Sequence, residues 1–241
     1  MSNESFVKDL KAIFDENPQI HEINGKTYSS VPLSVVEERR FSADNMRFNS
    51  LKALVTMIKA ESTNFHLPLY INVKSHTEVT VFDSLDDRME RQIPFTAVSD
   101  GCPFEFGRGY DYEAFVIALR SLFVQNPDLQ RLLELLSKLS NINSVESEDD
   151  GITQRVTAST GTSLNKTVQA SPIWTLSPFR TFREVQQPAS DFLFRISNGN
   201  RFALYEADGG AWKIAARQRI IDYFEFELAD EIKKGNIIVV G

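Results

Sequence analysis

Cysteine is almost absent: Cys102 is the only one in 241 residues. A lone thiol forbids an intrachain disulfide and cannot supply the two or more thiolates of the usual structural zinc sites, so a reducing, intracellular setting is expected. Long apolar runs are missing as well. The most apolar helical stretch, Ala114 to Val124, is broken by Arg120 and falls short of the ~18–20 residues that cross a bilayer, so no membrane contact is expected. Of the three histidines, His21, His66 and His76, none stands in the i, i+4 spacing of a metal-binding helix, and His66 and His76 would face each other only if their strands pair. No Gly-x-Ser-x-Gly elbow occurs. Gly107-Arg108-Gly109 lacks both the third glycine of a dinucleotide fingerprint and the Gly-Lys-Ser/Thr of a nucleotide-phosphate loop. These absences remove the readily recognised enzyme classes, and no catalytic, cofactor-binding or metal-binding residues are expected. The opening MSNESFVKDLKAIFDENP is acidic and amphipathic, which does not fit a secretory or organellar leader.

The composition is that of a folded chain, 42% hydrophobic and 24% charged with a net charge of −7, which excludes collagen-like and wholly disordered classes. The acid is unevenly placed. Residues 151–241 hold 11 Lys and Arg against 9 Asp and Glu, a balance of +2, and residues 1–150 hold 15 against 24, a balance of −9. Bulk attraction to nucleic acid or anionic lipid is therefore disfavoured, and any such contact needs a local basic face.

Phe6, Leu10, Ile13 and Phe14 recur at helical spacing over residues 3–16, with Asn3 as cap and Pro18 beyond the end. Residues 26–31 turn β-like. A helix is expected over 45–61, capped by Ser42 or Asp44, with Phe48, Leu51, Leu54, Val55 and Ile58 as its stripe. Alternation and β-branching predict strands over 67–73, 78–85 and 93–98. Asp111 can cap a helix over 112–124. Asn126-Pro127-Asp128 separates it from a leucine-rich helix over 128–140, giving an αα-hairpin. The broad leucine face either packs against a sheet or forms a subunit interface. Residues 140–150 read as an acidic linker or solvated loop. Beyond Gly151 the pattern is mostly β: segments 152–157 and 164–169, then 192–196 and 201–205, a long patterned stretch from Trp212 to Phe226, and a last strand over 237–240. The expected class is α+β. An acidic α/β part over residues 1–144 precedes a mainly antiparallel β part over 145–241, as two domains or one fused unit.

Three constellations carry chemistry. Glu146, Glu148 and Asp150 before Gly151 start like a calcium loop, but Thr157 stands where the closing glutamate belongs. Asp83, Asp86, Asp87 and Glu90 could serve a metal-dependent hydrolase, against which Arg88 and Arg91 suggest a charged turn. The third is aromatic and basic: Trp174, Phe179, Phe182 and Trp212 interleave with Arg180, Arg183, Arg195, Arg217 and Arg219. Such a face could stack bases and hold phosphates of single-stranded nucleic acid or nucleotides. The same alternation equally describes a core with its arginines in water.

The pattern CPFEFGRGYDYEAFVIALRSLF, the acidic gap, the strand pair around Arg155–Gln169 and the ending PIWTLSPFRTFREVQQPASDFLFRISNGNRFALYEADGGAWKIAARQRII together resemble the YfdQ-like family of phage and prophage proteins. The resemblance runs from about Phe41 to the C-terminus. It implies a phage-associated protein in the bacterial cytoplasm, with no activity or catalytic residues to carry over. The expectation is a non-enzymatic accessory protein acting as a homo-oligomer and binding a host or phage protein. The broad leucine face of residues 128–140 and the aromatic density of the second part motivate it, as does a terminal strand over 237–240 whose edge another copy of the chain can cover. Nucleic-acid binding is the first alternative and the metal-dependent hydrolase the second.

Overall fold

A computed structural model describes residues 20–23, 26–29, 45–86, 89–139, 145–149, 154–158, 166–169, 171, 173–197 and 201–241. The chain divides into two compact units, Met1–Ser42 and Ala43–Gly241. In the first, β1 (Ile20–Ile23) and β2 (Lys26–Ser29) pair antiparallel. The helix expected over 3–16 lies outside the described residues.

The second unit is an α+β fold. Its largest sheet has the order β13-β4-β5-β6-β3, from β3 (Met46–Phe48), β4 (Leu69–Asn72), β5 (Glu78–Phe82), β6 (Phe95–Val98) and β13 (Ile237–Val240). The three middle strands form an antiparallel meander, and both edges are parallel pairs, β13 on β4 and β3 on β6. One face is apolar by alternation: Leu69, Ile71, Val79, Val81, Phe95 and Ile237 are buried. Helices α1 (Leu51–Glu61) and α4 (Trp212–Glu227) share that core. The former supplies Leu51, Leu54, Val55 and Ile58, the 3- and 4-residue spacing of a helical stripe. The latter buries Trp212, Ala216, Ile220 and Phe224 at strict four-residue spacing, with α5 (Ala229–Lys233) following it.

The helix expected from residue 45 begins later. Met46–Phe48 pairs with Phe95–Ala97 as an edge strand, and Ser50, not Ser42 or Asp44, is the cap, its Oγ accepting the Ala53 N–H at 3.2 Å. Phe48 therefore belongs to the strand.

A second core lies where α2 (Tyr112–Leu122) and α3 (Pro127–Leu139) meet the antiparallel sheet of β10 (Ile173–Leu176), β11 (Ser190–Ser197) and β12 (Arg201–Glu206). Asp111 caps α2 by accepting the Ala114 N–H at 2.8 Å. Asn126 caps α3 by accepting the Leu129 N–H at 2.7 Å, with Pro127 at the first helical position where no N–H is needed. Leu129, Leu132, Leu135, Leu136 and Leu139 are buried within this core together with Phe104, Phe115, Phe123, Phe192, Phe194 and Phe202. The leucine face is thus core within one chain.

The acidic segment expected as a loop is partly a strand. β7 (Val145–Asp149) pairs antiparallel with β8 (Gln154–Ala158), setting Glu148 opposite Arg155, and β9 (Lys166–Gln169) completes that sheet. Backbone pairing with the β-branched strand beyond Gly151 outweighs the polar composition that suggested solvent. Among the described residues no helix is long and apolar enough to cross a membrane.

Candidate functional site

The segment between β10 and β11 links the two cores: Phe182 and Val185 belong to the first and the flanking Leu176 and Phe192 to the second. Pro178 and Pro188 bound it, and Gln187 clasps it. Its Oε1 accepts the backbone N–H groups of Arg180 and Thr181, while its Nε2 donates to the carbonyls of Phe182 and Val185. Thr181 Oγ1 donates to the His76 carbonyl at 2.6 Å, fastening the segment to the β4–β5 turn.

At its centre Arg180 is only 4% exposed. Nη1 donates to Glu206 Oε1 and Nη2 to Ser190 Oγ, each at 2.6 Å. The guanidinium stacks on Trp212, 3.8 Å from the ring centroid, and Trp212 Nε1 donates to the same Glu206 oxygen at 3.1 Å. Asp208 accepts the N–H groups of Gly210 and Trp212, so the start of α4 already holds an anion. Nε of Arg180 is buried without a partner. Burial lowers the Arg180 pKa, and Glu206 opposes that shift.

Two reactive groups flank this node. His76 meets Trp212 edge-on at 4.7 Å. Burial first, then Lys213 and Arg180, lower its pKa against a smaller opposing pull from Glu206, which favours neutral imidazole at pH 7. Burial raises the Cys102 pKa, opposed by a backbone hydrogen bond at Phe104 and by Arg180 and Arg183, so it stands as a thiol and not a thiolate nucleophile. The arrangement neutralises a buried cation and ties three segments together.

The other sequence-derived residues do not converge on it as one open face. Arg183 is exposed and lies 3.8 Å over the Phe179 ring. Half-buried Arg195 makes a long 3.4 Å contact to the Phe194 carbonyl, Arg219 donates to the Gln186 carbonyl at 2.9 Å, and Arg217 encloses an unpartnered Nε. Trp174 is buried with its Nε1 donating to the Ser171 carbonyl. Neither indole presents an open face for a base. Glu206, Ser190 and Gln187 were not singled out with Arg180 from the sequence because the irregular segment between β10 and β11 brings them together by its fold, which no local period records.

Asp83 Oδ1 accepts the Gln92 N–H at 2.7 Å, and Asp86 Oδ1 accepts the Glu90 N–H at 2.9 Å. These carboxylates shape the β5–β6 connection; Asp87 lies outside the described residues. Among the described residues no group of three His, Cys, Asp or Glu is placed to hold a metal. His66 and His76 stand at opposite ends of β4 and do not face each other.

The sheet edges differ in how they are guarded. β3 carries exposed Arg47, the β12 edge is bridged by Tyr110, and the chain after β10 is bridged by Phe123 at Pro178. β13 has no charge, proline or bridge on its outer side: its residues are Ile-Ile-Val-Val and its strand partner among the described residues is β4 alone. Ile238 is 40% exposed there, while Ile237 before it is covered at 1%.

These features define an α+β protein of two linked cores, with its buried cation balanced in place and an uncharged apolar strand at one sheet edge. No protein-family model matches the chain, and neither the curated proteins nor the solved structures give a match.

Proposed function

We propose that the protein is a phage- or prophage-encoded accessory protein of the bacterial cytoplasm that works without catalysis, by assembling with copies of itself and binding a host or phage protein. The observation that carries the reading is the uncharged edge strand β13, where Ile238 presents an apolar side chain at 40% exposure and β4 is the strand partner among the described residues. The resemblance through CPFEFGRGYDYEAF and the Phe179 to Phe194 motif supports the phage association. Internal use of Arg180, Glu206 and Asp83, with a protonated Cys102, supports a role in binding over one in chemistry. Light scattering at micromolar concentration tests it: a mass that is a multiple of 27.4 kDa is expected, and a single-chain mass overturns it.

A further inference from the structure

Apart from self-assembly, we infer that the face of the five-stranded sheet turned away from α1 and α4 binds single-stranded nucleic acid, with an unpaired base stacked on Arg91 where that side chain lies over Tyr70 and Phe82. Odd-numbered residues of β4, β5 and β6 fill the core, so their even-numbered neighbours form the opposite face. Two rows cross it. Ile238, Tyr70 and Phe82 align in the first, and Asn72, Thr80, Thr96 and Arg47 align in the second. None of these side chains belongs to either core, and α1 and α4, the helices packed on this sheet, stand on its other side.

The first row supplies the platform. Tyr70 and Phe82 stack with 15° between their planes and 5.2 Å between centroids, and the Arg91 guanidinium carbon lies 5.2 and 5.0 Å from those centroids. Arg91 is exposed, and its guanidinium has no hydrogen-bond or ion-pair partner among the described residues. Two rings thus hold a flat cation that no carboxylate claims, and a guanidinium plane is a surface on which a base stacks. In the second row Asn72 and Thr80 offer an amide and a hydroxyl for base edges. Arg47 ends it, exposed and likewise without an acid among the described residues, where a phosphate fits. Glu78, two residues before Thr80 on the same face, is taken by Lys74 at 3.0 Å. Exposed Glu90 stands beside Arg91 in sequence and keeps the face from being strongly basic, so stacking carries more of the affinity than phosphate neutralisation does. A duplex hides its base planes, and a protein partner calls for an apolar centre where this face carries Asn72, Thr80 and Arg47.

Fluorescence anisotropy with a labelled thymidine oligonucleotide of about 15 nucleotides tests the site. Binding at about 10 µM or tighter in low salt is expected, with weaker binding of the same length of duplex. Arg91→Ala is expected to lower affinity at least ~10-fold, and Arg91→Lys, which keeps the charge and loses the plane, is expected to restore little of it. Arg47→Ala is expected to make the fall of log affinity with log salt shallower by about 0.7. Arg183→Ala, on the segment between β10 and β11, is expected to change nothing. All these side chains are exposed, so an unchanged circular dichroism spectrum is expected throughout. No oligonucleotide binding, tighter binding of the duplex, full rescue by Arg91→Lys, or a loss with Arg183→Ala equal to that with Arg91→Ala overturns the inference. A light-scattering mass that falls in Arg91→Ala, with no oligonucleotide bound by the unmodified protein, also overturns it and gives this face to a second copy of the chain, leaving self-assembly standing.

Discussion

Arg180 and Glu206 are unequal partners, 4% and 36% exposed, and that asymmetry decides what their removal does. Stripped of Arg180, the Glu206 carboxylate can take water in its place. Stripped of Glu206, the guanidinium keeps its charge inside the protein with Ser190, the faces of Trp212, Phe192 and Phe106, and the Asp208 charge, which makes no direct hydrogen bond to it. Glu206→Ala is therefore expected to cost about 2–4 kcal/mol in urea unfolding, below the range for fully enclosed pairs because solvent screens the carboxylate. Arg180→Met, which retains much of the packing on Trp212, is expected to cost less; the reverse order would remove the buried-cation account. His76 titrates within the same cluster. Its folded pKa lies below its unfolded value of about 6.5, so the unfolded chain binds more protons as the solution is acidified. Its contribution to stability is present above about pH 6.5 and is lost as pH falls toward the folded value. Comparing urea midpoints at pH 7.5 and 5.5 is expected to show a smaller loss in His76→Asn than in the unmodified protein, and an identical loss in both would count against this role.

Among the elements, α3 shows how one pattern serves two readings. Its leucines repeat as a broad stripe that suits either a sheet or a neighbouring subunit, and the tertiary structure assigns them to the core under β10. Leu136→Ala is accordingly expected to lower stability by about 2–5 kcal/mol through the cavity left behind, while the light-scattering mass stays the same. A change in assembly without a change in stability would place that face between subunits. Helix starts separate differently. Asp111 was legible because a short acceptor stood immediately before an apolar period, whereas Asn126 was legible only as part of the break between two helices and shows its cap in the structure. Ser50 was hidden by Met46 to Phe48, whose apolar residues happen to continue the helical stripe backwards, until pairing with β6 makes them a strand. Ser50 also donates to Glu184 at 2.7 Å, so Ser50→Ala is expected to cost about 1–2 kcal/mol, measurable by thermal or urea unfolding.

Over the whole of residues 43–241, the ends of the chain segment close on each other. β13 and α4 complete the sheet and the core begun by residues 46 to 98, and the Gln187-clasped segment ties that core to the one beneath α2 and α3. Cooperative loss of both cores follows from these ties. Urea transitions followed by circular dichroism and by Trp174 fluorescence, in a Trp212→Phe protein, are expected to coincide; two separated midpoints would show that the cores unfold independently.

Local chemistry by itself determined the α+β class, the positions of β4, β5, β6, β11, β12 and β13, the two helices of the αα-hairpin and the uncharged, β-branched character of Ile237 to Val240. Each of these depends on a period or a cap that neighbours in sequence create. Only the tertiary structure decided that β13 lies parallel to β4, that Trp212 to Glu227 packs as a helix on the sheet, and that Arg180, Glu206, Trp212 and His76 meet at one point. The physical reason is separation along the chain: His76 and Trp212 stand 136 positions apart, and no propensity encodes which distant charges a fold will bury together.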